Sequence, residues 1–246
     1  MSIIPAPSPD EPQRPWLRIQ AEPQRGYWHD LDEDARIALM RTAEFTMGIP
    51  GQMLLPPDDS TADVLIVWTG LVKLVVYEGQ TQIALALRGP GDVVGELAGI
   101  TGNPHSAAVV CTGPVAVLRI RGKEFVTFLR RYPAADEVLR RTVAERLGEA
   151  DRDRLAAATM NVGQRLARFL LNLMKHYGVP GPGGGIKLEP LSQQDLAGCI
   201  GGAQRTVARE MSDWRARGFI STGRLSVTIH EPESLRRIAG RHAPSP

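Results

Sequence analysis

The chain has 246 residues, of which 43% are hydrophobic and 23% charged, a composition typical of a globular protein with room for two domains. Its apolar runs are only as long as strands, which excludes a membrane span, and its N-terminus lacks a signal-peptide pattern, so we expect a cytoplasmic protein. Its two cysteines lie far apart and its histidines are scattered, so we expect neither a disulfide framework nor a structural metal. The formal charge of +2 is unevenly distributed along the chain. Residues 161–246 hold 12 basic and 6 acidic side chains, whereas residues 1–160 hold 17 basic and 21 acidic ones. This excess of positive charge favours a polyanionic partner for the C-terminal part.

The first 27 residues are rich in proline, with prolines at positions 5, 7, 9, 12, 15 and 23. Few of them are core-forming, so we expect a mobile extension that does not join the core. Residues 28–45 then show helical spacing of apolar side chains, which predicts a helix before the first strand.

Short β-rich runs with glycine or proline between them occupy residues 51–120. The runs lie at 63–68, 71–77, 82–87, 107–111 and 115–120. Runs of this length and spacing predict a sandwich or barrel. Because the segment is only about 70 residues long and helical at both ends, we predict a compact β-roll within a domain of residues 28–132.

A long helix is predicted from Pro133 to about residue 158, where no further proline interrupts the chain. Its apolar stripe consists of Leu139, Val143, Leu147 and Ala150. Such a stripe favours pairing with the same helix of a second chain, and packing onto the β-roll is the alternative. We assign residues 133–160 to this dimerisation helix. Another helix is predicted over 162–176, followed by a flexible break in the glycine-rich segment 178–185.

Residues 191–220 predict two short helices joined by a glycine turn. Ser192 and Asp195 form a capping pattern, so the first helix begins at about Gln193. Gly201 and Gly202 then permit the reversal of the backbone. The second helix begins at about Ala203, with Val207 and Met211 facing inward and the polar side chains facing elsewhere. A plain helical hairpin with a solvated basic face is the alternative.

Apolar residues over 219–229 flank a Thr-Gly-Arg turn at 222–224 and predict a β-hairpin. Two helices, a turn and a hairpin in this order resemble winged helix-turn-helix DNA-binding domains. We assign residues 161–246 to such a domain.

The order of β-roll, long helix and winged helix-turn-helix resembles the CRP/FNR superfamily of bacterial transcription regulators over about residues 28–235. The likeness rests on RGPGDVVGELAGITGNPHSAAV at 88–109, IRGKEF at 120–125 and the helix-turn-helix. The resemblance implies an α+β fold with an N-terminal β-roll of the cyclic-nucleotide-binding type, a dimerisation helix and a C-terminal DNA-binding domain.

The resemblance also implies an effector pocket. Glu96 would hold a ribose hydroxyl, while backbone N–H groups near Leu97 and Ala107 and the hydroxyl of Ser106 would hold a cyclic phosphate. The candidate effector residues are Gly95, Glu96, Leu97, His105, Ser106, Ala107, Arg146 and Asp151.

Three positions depart from the cyclic-nucleotide pattern. His105 stands where the binders place arginine, and losing a charge-assisted bond weakens phosphate affinity by roughly tenfold to a hundredfold. Ala150 and Asp151 stand where cyclic-AMP-responsive members place hydroxyl groups against the purine. Three interpretations therefore remain open: a cyclic nucleotide such as cAMP bound in an altered mode, a different small effector, or no effector.

The DNA-reading positions also depart from the family pattern. Gln204, Arg205 and Arg209 stand where members often present Arg-Glu-x-x-x-Arg, and Arg205 cannot accept a hydrogen bond from cytosine as glutamate does. We expect Arg209 and Arg205 to contact guanine and Gln204 to contact adenine or phosphate. The candidate DNA-binding residues are Ser192, Gln193, Gln204, Arg205, Thr206 and Arg209.

These observations predict a homodimeric transcription regulator that binds a near-palindromic duplex, with RNA polymerase as a further partner and no membrane association. The alternative is a cyclic-nucleotide-binding regulatory or scaffolding protein that acts through protein contacts. No nucleophile, base and orienting group converge in one motif, so we do not expect an enzyme.

Overall fold

Two antiparallel sheets of four strands each form a β-roll in the computed structural model, which describes residues 22–79 and 81–240. The first sheet contains β1 (Glu44–Gly48), β3 (Val64–Thr69), β6 (Val93–Val94) and β8 (Val115–Ile120), in the order β1-β8-β3-β6. The second contains β2 (Met53–Leu55), β4 (Val72–Glu78), β5 (Thr81–Arg88) and β7 (Ala108–Cys111), in the order β2-β7-β4-β5. The predicted α+β class and the β-roll are confirmed.

Strand β3 lies at the centre of this arrangement, and its residues Val64 to Trp68 are all buried. Leu65 and Val67 point into the core between the two sheets. Ile66 and Trp68 point to the opposite face, because side chains alternate along a strand. That face is covered by α1 (Gly26–Asp30), α2 (Glu33–Thr42) and α4 (Gly122–Arg131), while the short helix α3 (Glu96–Thr101) follows β6.

Two expectations for the N-terminal region are corrected by the structure. The single helix expected over residues 28–45 is two helices, and Phe45 belongs to β1. Residues 1–21 of the expected extension lie outside the described residues, but Tyr27 is 1% exposed and packs into the core, so the chain joins the β-roll before residue 28.

The long helix α5 (Pro133–Thr159) has 27 residues and spans about 40 Å. Its first turns pack on the β-roll, where Leu139 is buried. Farther along, Leu147 and Leu155 are each 62% exposed. The predicted apolar stripe is therefore divided between the β-roll and an uncovered surface. Among the described residues, no helix has the length and apolar character needed to cross a membrane.

The C-terminal domain, residues 162–239, contains four α-helices and a third sheet within the described residues. Its elements are α6 (Val162–Tyr177), β9 (Val179–Pro180), β10 (Ile186–Leu188), α7 (Gln193–Cys199), α8 (Gln204–Ala216), β11 (Ile220–Gly223), β12 (Ser226–Ile229) and α9 (Pro232–Ala239). The sheet order is β11-β12-β10-β9. The predicted helix start at Gln193 and the predicted hairpin are confirmed.

The glycine-rich segment 178–185 is not the expected flexible break between domains. Val179 and Lys187 pair as neighbours in the register of β9 and β10, and Leu188 pairs with Val227 of β12. A single helical turn at Pro182–Gly184 joins β9 to β10. The segment is thus an edge of the sheet that carries the wing hairpin, because strand pairing supplies the order that its composition lacks.

The C-terminal domain packs directly on the β-roll. Leu71 and Leu87 of the β-roll belong to the same buried cluster as Leu166, Leu196 and Met211 of the C-terminal domain. Gly89, just after β5, has the ring of Tyr177 against it, so that an added Cβ would lie 2.5 Å from the Tyr177 Cδ1 atom. Two leucines of the β-roll therefore belong to the apolar core of the C-terminal domain.

We predict that Gly89→Ala lowers the free energy of unfolding by about 1–3 kcal/mol, because the new methyl group overlaps the Tyr177 ring and Leu71. Urea unfolding followed by tryptophan fluorescence measures this change. The matched control is Gly148→Ala on α5, where the nearest atom is the flexible guanidinium of Arg152 at 3.4 Å. Wild-type stability of Gly89→Ala would contradict the tight contact.

Candidate functional site

The helix-turn-helix is formed by α7 and α8 with a glycine turn between them. The Ser192 hydroxyl accepts a hydrogen bond from the Asp195 N–H at 3.0 Å and donates to the Asp195 carboxylate at 2.5 Å. Helix α7 ends at Cys199, and Gly201 follows with a φ of +59°, a left-handed conformation that glycine adopts without steric cost. This turn directs the chain into α8.

Helix α8 presents a polar face to solvent and an apolar face to the core. Val207, Met211 and Trp214 are buried. Gln204, Arg205 and Arg209 are exposed and Thr206 is half-buried. The Arg209 guanidinium lies 3.5 Å from the carboxylate of the neighbouring Glu210. The predicted DNA-reading side chains therefore lie together at the exposed amino-terminal half of one helix.

The two DNA-backbone candidates on α7 are less accessible than those on α8. Ser192 and Gln193 are half-buried, and the Ser192 hydroxyl already participates in the cap of α7. Asp195 is 8% exposed and pairs with Lys73 of the β-roll, a contact that the sequence analysis did not identify.

Arg165 on α6 is a further residue that the sequence analysis missed. Its guanidinium donates hydrogen bonds to the backbone carbonyls of Ile200, Gly201 and Met160, at 2.9, 3.1 and 2.8 Å. These carbonyls lie at the carboxyl ends of α7 and α5, where helices leave carbonyl groups unpaired. One arginine therefore joins the end of the long helix to the turn that precedes α8.

A cluster of charged side chains lies where α5 meets the β-roll. Glu96 begins α3, is 8% exposed, and accepts a hydrogen bond from Arg146 of α5 at 2.9 Å. The other Arg146 nitrogen, Nη2, lies 3.6 Å from the Asp92 carboxylate. That nitrogen is buried and makes no hydrogen bond within the described residues. It is a donor available to a ligand.

His105 lies beside Gly95 in the same region. Its side chain is buried, and its Nε2 atom has no hydrogen-bond partner within residues 22–79 and 81–240. An added Cβ at Gly95 would lie 3.1 Å from the His105 Cε1 atom. Burial lowers the pKa of His105, an effect that the carboxylates of Asp59 and Asp63 oppose but do not overcome. The ring is therefore neutral at pH 7, and it offers weaker phosphate recognition than arginine does.

The other effector candidates lie at the edge of this region or away from it. Ser106 is exposed and Ala107 is half-buried. The Leu97 side chain is 53% exposed, which leaves its predicted backbone role untouched. Asp151 lies on an exposed part of α5, where its carboxylate pairs with Arg154 at 3.2 Å. Glu96, Arg146 and His105, with Gly95, thus form the compact part of the candidate pocket.

The pocket is connected to the C-terminal domain through Asp92. The Tyr177 hydroxyl at the end of α6 donates to Asp92 Oδ2 at 2.6 Å, and the Gly89 N–H donates to the same oxygen at 2.8 Å. Burial and the Asp92 charge raise the pKa of Tyr177 far above its usual value, so the hydroxyl stays protonated. Neither residue was a sequence candidate, because they lie 85 positions apart.

Two parts of the chain match known domain families. Residues 164–238 match the family described as Crp-like helix-turn-helix domain, and residues 50–132 match the cyclic nucleotide-binding domain. The chain is 32% identical over 186 residues to the global nitrogen regulator of Nostoc sp., covering 74% of this chain and 82% of that protein. It is 27% identical over 198 residues to the CRP-like cAMP-activated global transcriptional regulator of Mycobacterium tuberculosis, covering 79% and 83%.

A solved structure shows the same fold. FixK2 from Bradyrhizobium japonicum superposes with a TM-score of 0.72 at 21% identity, over 82% of this chain and 99% of that one.

A β-roll joined by a long helix to an exposed helix-turn-helix defines a DNA-binding transcription regulator. The chain belongs to the CRP/FNR superfamily of these regulators.

We predict that His105 makes the protein less stable in acid. The folded protein holds the neutral ring, whereas the unfolded chain binds a proton below about pH 6.5, so acidification favours unfolding below that pH. Urea unfolding at pH 7.5 and pH 5.5 should show a smaller loss of stability for His105→Gln than for the wild type. The exposed His29→Gln is the matched control and should retain the wild-type loss.

Proposed function

We propose that the protein acts as a homodimer on a near-palindromic duplex, with one α8 helix in the major groove of each half-site, about one DNA turn apart. The observation that carries this proposal is the exposed row of Gln204, Arg205 and Arg209 on α8. Arginine donates two hydrogen bonds to guanine O6 and N7, and glutamine can both donate to and accept from adenine. We propose that Ser192 and Gln193 contact the DNA backbone and that Thr206 lies at the edge of the DNA-reading surface of α8.

The dimer proposal is supported by α5. Leu147 and Leu155 are each 62% exposed and lie about two turns apart on this helix. Exposed leucines at helical spacing favour packing against the same helix of a second chain, because that packing removes apolar surface from water. We infer that residues 133–160 form the dimerisation helix and that the DNA-bound dimer acts on RNA polymerase.

We propose that a small effector binds between the β-roll and α5. Glu96 can accept from a ligand hydroxyl group. Arg146 Nη2, which makes no hydrogen bond within the described residues, can donate to a ligand oxygen, and so can His105 Nε2 in the tautomer that carries its proton there. A cyclic nucleotide carries both kinds of group, so the residues fit it, with the neutral His105 giving a weaker phosphate contact than arginine. By linkage, an effector that favours the DNA-bound arrangement must itself bind more tightly when DNA is present.

The proposed operator can be identified by in vitro selection of random duplexes with the full-length protein. Selected duplexes with two inverted half-sites support the proposal. Binding of the selected duplex should weaken steeply between 50 and about 200 mM salt, since phosphate contacts release counterions. Absence of this salt dependence would favour a protein-contact role for the helix-turn-helix.

We predict that Arg209→Ala costs about 1–3 kcal/mol of binding free energy on the selected duplex and relaxes one base position in each half-site. Fluorescence anisotropy with single-base variants of the duplex measures both effects. Arg130→Ala, which removes an exposed arginine from α4, is the control for charge alone. Unchanged affinity and base preference in Arg209→Ala would contradict the assignment.

We also predict that His105→Arg tightens cAMP binding by roughly tenfold to a hundredfold, because it supplies a charge-assisted phosphate contact. Isothermal titration calorimetry of the wild type and variant measures the change. Glu96→Gln in the His105→Arg background should weaken cAMP binding again, since it removes the negative charge of the carboxylate that accepts from the ligand hydroxyl. No gain in His105→Arg would argue against a cyclic nucleotide in this pocket.

A further inference from the structure

Helix α7, the first helix of the helix-turn-helix, lies directly on strand β5 of the β-roll. A Cβ added at Gly198 would lie 3.0 Å from both the backbone nitrogen and the backbone oxygen of Ala84. A side chain at this position would therefore lie closer to the strand than ordinary van der Waals contact allows. Leu71 and Leu87 of the β-roll extend the contact into the core of the C-terminal domain.

A buried ion pair lies at this contact. Lys73 Nζ on β4 is 2.7 Å from Asp195 Oδ1 on α7, and the two side chains are only 16% and 10% exposed. The second Asp195 oxygen accepts from the Ser192 hydroxyl, which caps the same helix. Lys73 therefore binds a carboxylate that is itself fixed to the first turn of α7.

The physical effect of such a pair is mainly on orientation. Removing both charges from water costs free energy that offsets most of their attraction, so the pair adds little net stability. Displacing one partner, however, leaves a buried charge unpaired, which is strongly unfavourable. An apolar contact alone tolerates sliding of α7 along β5, whereas the ion pair penalises it.

This docked arrangement leaves the DNA-reading side chains free. Gln204, Arg205 and Arg209 are exposed while Lys73 and Asp195 are paired. A second polar contact, between Tyr177 and Asp92, holds the end of α6 against the same domain. The contact is therefore compatible with DNA binding and restricts how α8 is oriented relative to the β-roll.

We propose that Lys73 and Asp195 are positioning residues that fix the orientation of α8, and through it the separation of the two recognition helices in the dimer. The inference rests on the proposed binding of a dimer to two half-sites. Neither residue is assigned a contact with DNA. Their effect is expected only when two half-sites must be engaged at once, because the affinity of one helix-turn-helix for one half-site does not depend on the orientation of the other.

The test compares wild-type protein and Lys73→Met on the selected duplex, on a single half-site, and on duplexes in which the spacer is lengthened or shortened by one base pair. Lys73→Met should lose roughly tenfold or more in affinity for the two-site duplex, in the range of coupling energies of contacting residues. Its affinity for the single half-site should equal that of the wild type, and its preference for the natural spacer should be reduced.

Two controls separate this effect from charge and from folding. Lys123→Met removes an exposed lysine from α4 and should bind every duplex as the wild type does. Lys73→Arg keeps the positive charge and should restore the spacer preference. Asp195→Asn removes the acidic partner of the pair with little change of shape. It replaces Lys73→Met in the same binding measurements if Lys73→Met does not fold.

Three results would overturn the inference: unchanged two-site affinity, equal losses on one site and two, or tighter two-site binding, which would make the contact inhibitory. A different result marks failure of the proposed function itself. If the wild type binds one and two half-sites equally well, the two-site model is wrong, and the positioning role is rejected with it.

Discussion

The position of the long helix on the β-roll depends on one guanidinium. Arg146 of α5 reaches Glu96 at 2.9 Å and Asp92 at 3.6 Å, and all three side chains are largely buried. A buried carboxylate is stable only when a cation or several donors accompany it, so loss of Arg146 would leave Glu96 as an uncompensated buried charge. Asp92 would keep its hydrogen bonds from Tyr177 and Gly89. The register of α5 against the β-roll is therefore fixed by charge and not only by apolar packing.

The same cluster gives the proposed effector pocket a physical connection to the helix-turn-helix. Asp92 lies between Arg146 and the Tyr177 hydroxyl, and Tyr177 ends the helix that supports the helix-turn-helix. A ligand that takes up Arg146 or Glu96 changes the charge balance around Asp92. Arg165 extends the connection, because it binds the ends of both α5 and α7. Movement of α5 therefore reaches α8 through hydrogen-bonded contacts and not through a loose linker.

Local sequence patterns predicted much of this fold and less of its site. Strands β3, β4, β5, β7 and β8 followed from apolar runs, and the start of α7 followed from Ser192 and Asp195, because these signals act within a few residues. Strands β1, β2 and β6 escaped prediction, because they carry no such run and are defined by pairing with strands far along the chain. The same limit hid the Lys73–Asp195 pair, whose members are 122 residues apart. Segment 178–185 was misjudged because its order comes from strand pairing rather than composition.

The junction between the domains combines an apolar core with two kinds of polar contact, and this combination has a consequence for regulation. Leu71 and Leu87 are buried with the C-terminal domain, while Lys73 and Asp92 bind Asp195 and Tyr177 there. Tilting the C-terminal domain would stretch both polar contacts and open the apolar contact. Closely packed interfaces of this kind favour discrete arrangements over gradual deformation. The proposed effector is therefore expected to shift the protein between a docked and an undocked population. The free-energy difference between them would depend on how well the ligand replaces the Glu96–Arg146 pair.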